Sequence, residues 1–231
     1  MHHEQHLKSS DTIRDIVIGM SDGLTVPFAL AAGLSGAVNS SGIVVTGGIA
    51  EIVAGSIAMG LGGFLAGRTE ADHYAAELKR EYDEVERVPE QEKKEVMEVF
   101  ADFGLSVKLQ QEVADEMAKD TDKWVDFMMR YELGLEKPQA NRATQSAVTI
   151  GLSYIVGGII PLSPYFFVAN SQEALYYSCA ITLVCLFVFG FFKSKVTGQP
   201  AVSGAFKVLF IGALAAAAAF IIAKWVSGGS L

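Results

Sequence analysis

Long apolar stretches alternate with one strongly polar block along this chain. A helix rises 1.5 Å per residue, so roughly 20 apolar residues cross a hydrocarbon core. Five stretches reach that length: 13–38, 43–67, 143–162, 174–192 and 202–225. The third is expected to stop at Pro161 and Pro164. No Gly or Pro follows Gly67 before Pro89, so the second apolar helix is expected to run on as a polar helix to about Val88. Pro89 then opens a helix over 90–103, broken at Gly104 and Leu105. Ser106 stands as N-cap of a helix over 107–119, and Asp120 or Thr121 caps another over 121–133. Gly134 and Pro138 close the block. The pattern predicts an all-α membrane protein with five transmembrane helices and an acidic helical domain inserted between the second and third. The expected segments are an N-terminal tail 1–12, membrane helices 13–69, the polar domain 70–140, membrane helices 141–226 and a C-terminal tail 227–231.

Charge sharpens this division. The 231 residues are 51% hydrophobic and 19% charged, a combination rare in soluble domains. Residues 70–137 hold 20 acidic and 10 basic groups, whereas the rest of the chain holds 6 and 8. If the chain crosses five times, Lys8, Arg14, Arg68, Arg142, Lys193, Lys195 and Lys207 fall on one side, and only Lys224 on the other. The positive-inside rule then places the N-terminus and the acidic domain in the cytosol and the C-terminus in a lumen or outside. Cys179 and Cys185 lie six apart in one apolar run and cannot bridge each other on a helix. The N-terminus has no apolar signal segment; His2, His3 and His6 read as a tail.

An ionisable side chain inside a bilayer is costly and marks a functional site by default. Asp22 interrupts the first apolar run and Glu51 the second. Asp22 lies nine residues from the start of its run, and Met59 nine residues before Arg68. In antiparallel helices these two share a depth of roughly 13 Å, with Glu51 two turns farther on. Pro27 removes the amide that would pair with the Gly23 carbonyl, leaving an acceptor one turn from Asp22, with Ser21 and Thr25 as polar neighbours. Each carboxylate could instead make a structural hydrogen bond, and Met59 could be packing. Gly47, Glu51, Gly55, Met59 and Gly63 fall on one face of the second helix. Small residues let helices approach closely, either within one bundle or across a symmetric homodimer lining a shared path.

Paired carboxylates at i, i+3 are how helical bundles hold divalent metals. The acidic block offers Glu81 with Glu84, Glu92 with Glu95, and Met128 and Met129 ahead of Glu132. Oxygen ligands suit hard and borderline cations, and the thioethers tilt the set toward transition metals. Any one pair alone is an ordinary solvated helix face, as Glu112, Asp115 and Glu116 are taken to be; three helices each offering ligands carry the reading.

The motif DGLTVPFALAAGLSG at 22–36, the Gly-rich second helix bearing Glu and Met, and the inserted acidic domain together resemble the vacuolar iron transporter family of plants and protists. The resemblance covers residues 13–225. It implies a five-helix homodimer with the ion path at its interface, and proton-coupled antiport of cytosolic Fe²⁺ across the vacuolar membrane, hence a role in iron homeostasis. It implies Asp22, Met59 and Glu51 as pathway residues. It implies Glu81, Glu84, Glu92, Glu95, Met128, Met129 and Glu132 as metal-binding positions. Relatives of the nodulin-like branch lack the inserted domain.

The expected activity is transport, with the acidic domain concentrating the ion and protons competing with metal for carboxylates. Fe²⁺ is expected as cargo and bound ion, with no resident cofactor; H⁺, the lipid bilayer and a second copy are the expected partners, and nucleic acid is not. One alternative is a carrier of broader selectivity for Mn²⁺, Co²⁺ or Zn²⁺. Another is a metal-sensing scaffold that does not transport. An enzyme is disfavoured: no nucleophile–base pair, phosphate loop or cofactor motif is visible, and the Glu-x-x-His of di-iron bundles is missing.

Overall fold

The computed structural model describes residues 10–228. The tail histidines His2, His3 and His6, with Lys8 and the last three residues, lie outside the described residues. Among the described residues there are eight α-helices: α1 Ser10–Ala37, α2 Ser41–Arg87, α3 Pro89–Asp102, α4 Val107–Met117, α5 Thr121–Phe127, α6 Arg142–Leu162, α7 Ser171–Val196 and α8 Ala201–Val226. Among the described residues, five helices are long and apolar enough to cross a membrane, namely α1, α2, α6, α7 and α8. The chain divides into two compact units, one of residues 1–64 with 143–231, the other of 65–142.

The boundaries refine the expected ones in ways that have local causes. Helix α1 starts at Ser10, inside the segment expected as tail. Pro161 lies within the last turn of α6, and a 3₁₀ turn, Ser163–Phe166, follows it with Pro164 among its first residues. Helix α7 is longer at both ends than its apolar core: Asn170 caps it, accepting from the amides of Gln172 and Glu173 at 2.9 and 3.1 Å. Ser106 occupies the N-cap position of α4 without a side-chain capping bond, whereas Asp120 does accept from the Lys123 amide. The expected helix over 121–133 changes character midway: Met128–Glu132 form a π-helical turn.

Glycines set the packing of the larger unit. A side chain on Gly23 would stand 2.4 Å from the Tyr154 carbonyl oxygen, so α1 and α6 touch backbone to backbone there. Opposite, Gly157 faces the Leu24 amide. Gly47 meets Leu34 of α1, Gly55 the Tyr154 ring, and Gly63 Ile150 and Ser146 of α6. The small-residue face of α2 therefore packs against α1 and α6 of its own chain. Helix α8 lies along α1, with Gly36 against Phe220, and along α7, with Gly212 against Leu186. The 38–40 and 167–170 loops are tied together: Ser41 donates its amide to Ala169 at 3.1 Å, Ser171 to Asn39 at 3.1 Å, and the Ser171 hydroxyl to the Val38 carbonyl.

The smaller unit has its own core of Val85, Val96, Ala114, Trp124, Val125, Met128 and Met129. Gly104 and Gly134 adopt left-handed backbone, φ 79° and 64°, and end α3 and the π-helical turn.

Candidate metal-handling sites

In the smaller unit, Glu81 of α2, Glu92 of α3 and Glu132 of the π-helical turn converge, each offering a carboxylate oxygen within 4.8 Å of the others. Unbroken helix propensity carries α2 through Glu81, Pro89 fixes the start of α3 just ahead of Glu92, and the π turn brings in Glu132. Glu81 and Glu92 are 2% and 3% exposed, and Oε2 of each is buried without a hydrogen-bond partner. Desolvation raises both carboxyls to about 7, with further upward push from neighbouring glutamates. For Glu81 the neighbours are Glu132, Glu84 and Glu95, opposed by Arg80; for Glu92 they are Glu95, Glu81, Glu84 and Glu132. Glu132, though exposed, is raised for the same reasons, desolvation first and then Glu95 and Glu84. Glu84 and Glu95 thus stand around the trio; Glu84 is held by Arg80 at 3.5 Å and Glu95 by the Gln91 amide at 2.9 Å.

Buried, unpartnered carboxylate oxygens cost free energy that a cation at their centre would recover. The oxygen-only set suits a divalent ion. Met128 and Met129 are placed differently from the glutamates: at 0% and 1% exposure they belong to the apolar core.

In the larger unit, Asp22, Glu51 and Met59 are each half-buried within one chain. Glu51 receives a hydrogen bond from the Tyr154 hydroxyl of α6, while its Oε2 is buried without a partner. Asp22 directly precedes Gly23, which meets the Tyr154 backbone. Tyr154 is itself 2% exposed and wedged between Gly23 and Gly55, so the glycines beside the two carboxylates seat the tyrosine between them. Met59 stands on α2 between Gly55 and Gly63, both of which face α6. Thr25 donates back to the Ser21 carbonyl at 2.8 Å, which occupies its hydroxyl proton. The sequence pattern missed Tyr154 because a tyrosine in an apolar run looks like packing; an isolated polar group at membrane depth was the available signal.

The model of the VIT family matches residues 13–224. The chain belongs to the vacuolar iron transporter family. It is 53% identical over 225 residues to "Vacuolar iron transporter 1" of Arabidopsis thaliana, covering 97% of this chain and 90% of that protein. It is 51% identical to the protein of the same name from Tulipa gesneriana, covering 97% and 91%. A fungal relative, "Vacuolar iron transporter cccA" of Arthroderma benhamiae, is 38% identical over 229 residues, covering 95% and 82%. Membership of this family points to a transporter rather than an enzyme.

Proposed function

We propose that the chain is a multi-pass protein of the vacuolar membrane that moves cytosolic Fe²⁺ into the vacuole in exchange for protons, and that residues 70–140 form a cytosolic domain that captures the metal. The observation that carries this reading is the convergence of Glu81, Glu92 and Glu132 with buried, unpartnered oxygens, in a chain that also keeps Asp22 and Glu51 inside its apolar helices. Glu84 and Glu95 extend the capture site, and Met128 and Met129 shape it from the apolar core. Asp22, Met59 and Glu51 form the pathway. A carboxylate binds metal only when deprotonated, so protons from an acidic compartment displace the ion. No covalent step is required.

The N-terminus faces the cytosol and the C-terminus the lumen, as the distribution of Lys and Arg favours. The working unit is a homodimer. Asp22, Glu51 and Met59 are only half-buried in one chain. A carboxylate left facing lipid is costly, and a second copy would close the open side of Asp22. The glycines of α2 serve the protomer's own packing in this account.

Vesicles carrying the purified protein and an acidic interior test the proposal. Fe²⁺ uptake should depend on the gradient, and competition by Mn²⁺, Co²⁺ and Zn²⁺ reads out the selectivity. Replacing Glu81, Glu92 and Glu132 together by Gln should raise the half-saturating Fe²⁺ concentration at least about tenfold while the maximal rate persists. Metal binding without any uptake would favour a sensor instead.

A further inference from the structure

The larger unit carries a groove of about 590 Å³ between α1, α7 and α8 that the ion-transport reading does not use. Its floor is apolar, built from residues such as Phe28, Ala32, Leu183 and Phe220. Its polar groups gather at one end: Gln172 and Tyr176 in the first turns of α7 and Lys224 in the last turn of α8. That end adjoins the 167–170 loop, because α7 begins there. Lys224 is half-buried and makes no ion pair among the described residues.

We infer that this groove binds one phospholipid with an anionic headgroup, its phosphate at Lys224 and an acyl chain laid along the apolar floor. Length supports this. From Gln172 to Leu183 the groove follows 11 residues of α7, roughly 17 Å of helix. One leaflet of a hydrocarbon core is about 15 Å. The groove therefore matches one leaflet, with its cation at the depth of the headgroups. Charge supports it as well. Lys224 is the one basic residue between the end of α1 and the C-terminus that falls opposite Arg14, Arg68, Arg142, Lys193, Lys195 and Lys207. A lysine on that side works against the positive-inside bias, and a phosphate partner gives it a role. The tyrosine and glutamine beside it supply hydroxyl and amide donors of the kind that hold a phosphate or glycerol oxygen. The neighbouring apolar groove lined by Pro164, Phe167 and Tyr177 has no charged group, so it offers no such selectivity.

The test uses the full chain in nanodiscs of phosphatidylcholine with one-tenth phosphatidylglycerol, extracted into mild detergent and examined by native mass spectrometry. The wild-type chain should retain one phosphatidylglycerol in preference to phosphatidylcholine. Lys224→Gln should lower that retention about fivefold, and Lys224→Arg should restore it. Ala217→Phe, which fills the exposed wall of the groove, should abolish retention of either lipid. Equal retention of both lipids, or phosphatidylglycerol retention untouched by Lys224→Gln and Ala217→Phe, would overturn the inference. So would an interchain disulfide in an Ala217→Cys variant, since it would mean that a second copy covers the groove. Each variant's Fe²⁺ uptake reports whether it remains folded, and the lipid readout stands apart from the transport reading.

Discussion

Glu81 and Glu92 tie the chemistry of capture to the stability of the metal-free chain. An unfolded glutamate ionises near 4.5, whereas these two do so at about 7 in the folded chain. Between those values the folded chain holds protons that the unfolded chain has lost. Raising pH through this window therefore removes stability from the metal-free protein. Thermal melts without metal should show the melting temperature falling from pH 5 to pH 7 and levelling above. Fe²⁺ affinity should move the other way, rising over the same window as protons cease to compete. Glu92→Gln keeps the shape and removes the charge. It should raise metal-free stability at pH 7.5, on the order of 1 to 3 kcal/mol, while weakening Fe²⁺ binding at least about tenfold by calorimetry. Met129 makes a complementary case. As core packing it should tolerate Met129→Leu with a cost below about 1.5 kcal/mol, and loss of metal binding in that variant would show that its sulfur is a ligand. The glutamates could be read from the sequence because charges at helical spacing on consecutive helices are visible without a fold. Tyr154 could not, since its partner Glu51 is 103 positions away and only the register between α2 and α6 brings them together.

At the scale of elements, hydrophobic runs of membrane length marked five helices, and an absence of breakers carried α2 past the apolar boundary to Arg87. What the runs did not contain was their pairing. The glycine face of α2 was legible as a face, but four-residue spacing says only that something approaches closely, and the approach is to α1 and α6 of the same chain. The π turn at Met128–Glu132 also escaped the pattern, since the seven- and eleven-residue habits of helices do not encode a one-residue widening. These contacts separate two substitutions of one type. Gly23→Ala would drive a methyl to 2.4 Å from a backbone oxygen of α6. It should cost about 1 to 3 kcal/mol or more and lower the melting temperature of the purified protein by several degrees. Gly62→Ala meets nothing within 4 Å and should be neutral or slightly stabilising. Equal effects at the two sites would contradict the helix pairing.

For the whole molecule, a carboxylate trio lies in one unit and a pair of carboxylates among apolar helices in the other, and α2 contributes residues to both. In the proposed mechanism Asp22 carries the ion and the coupled proton. The most direct measurement follows Fe²⁺ uptake and internal pH together in vesicles with an imposed pH gradient, comparing the wild-type chain with Asp22→Asn. The mechanism predicts wild-type uptake that requires the gradient and dissipates it. In Asp22→Asn both signals should vanish, while Fe²⁺ binding by the glutamates, read by calorimetry, remains. Full uptake by Asp22→Asn, or wild-type uptake that leaves internal pH unchanged, would contradict it.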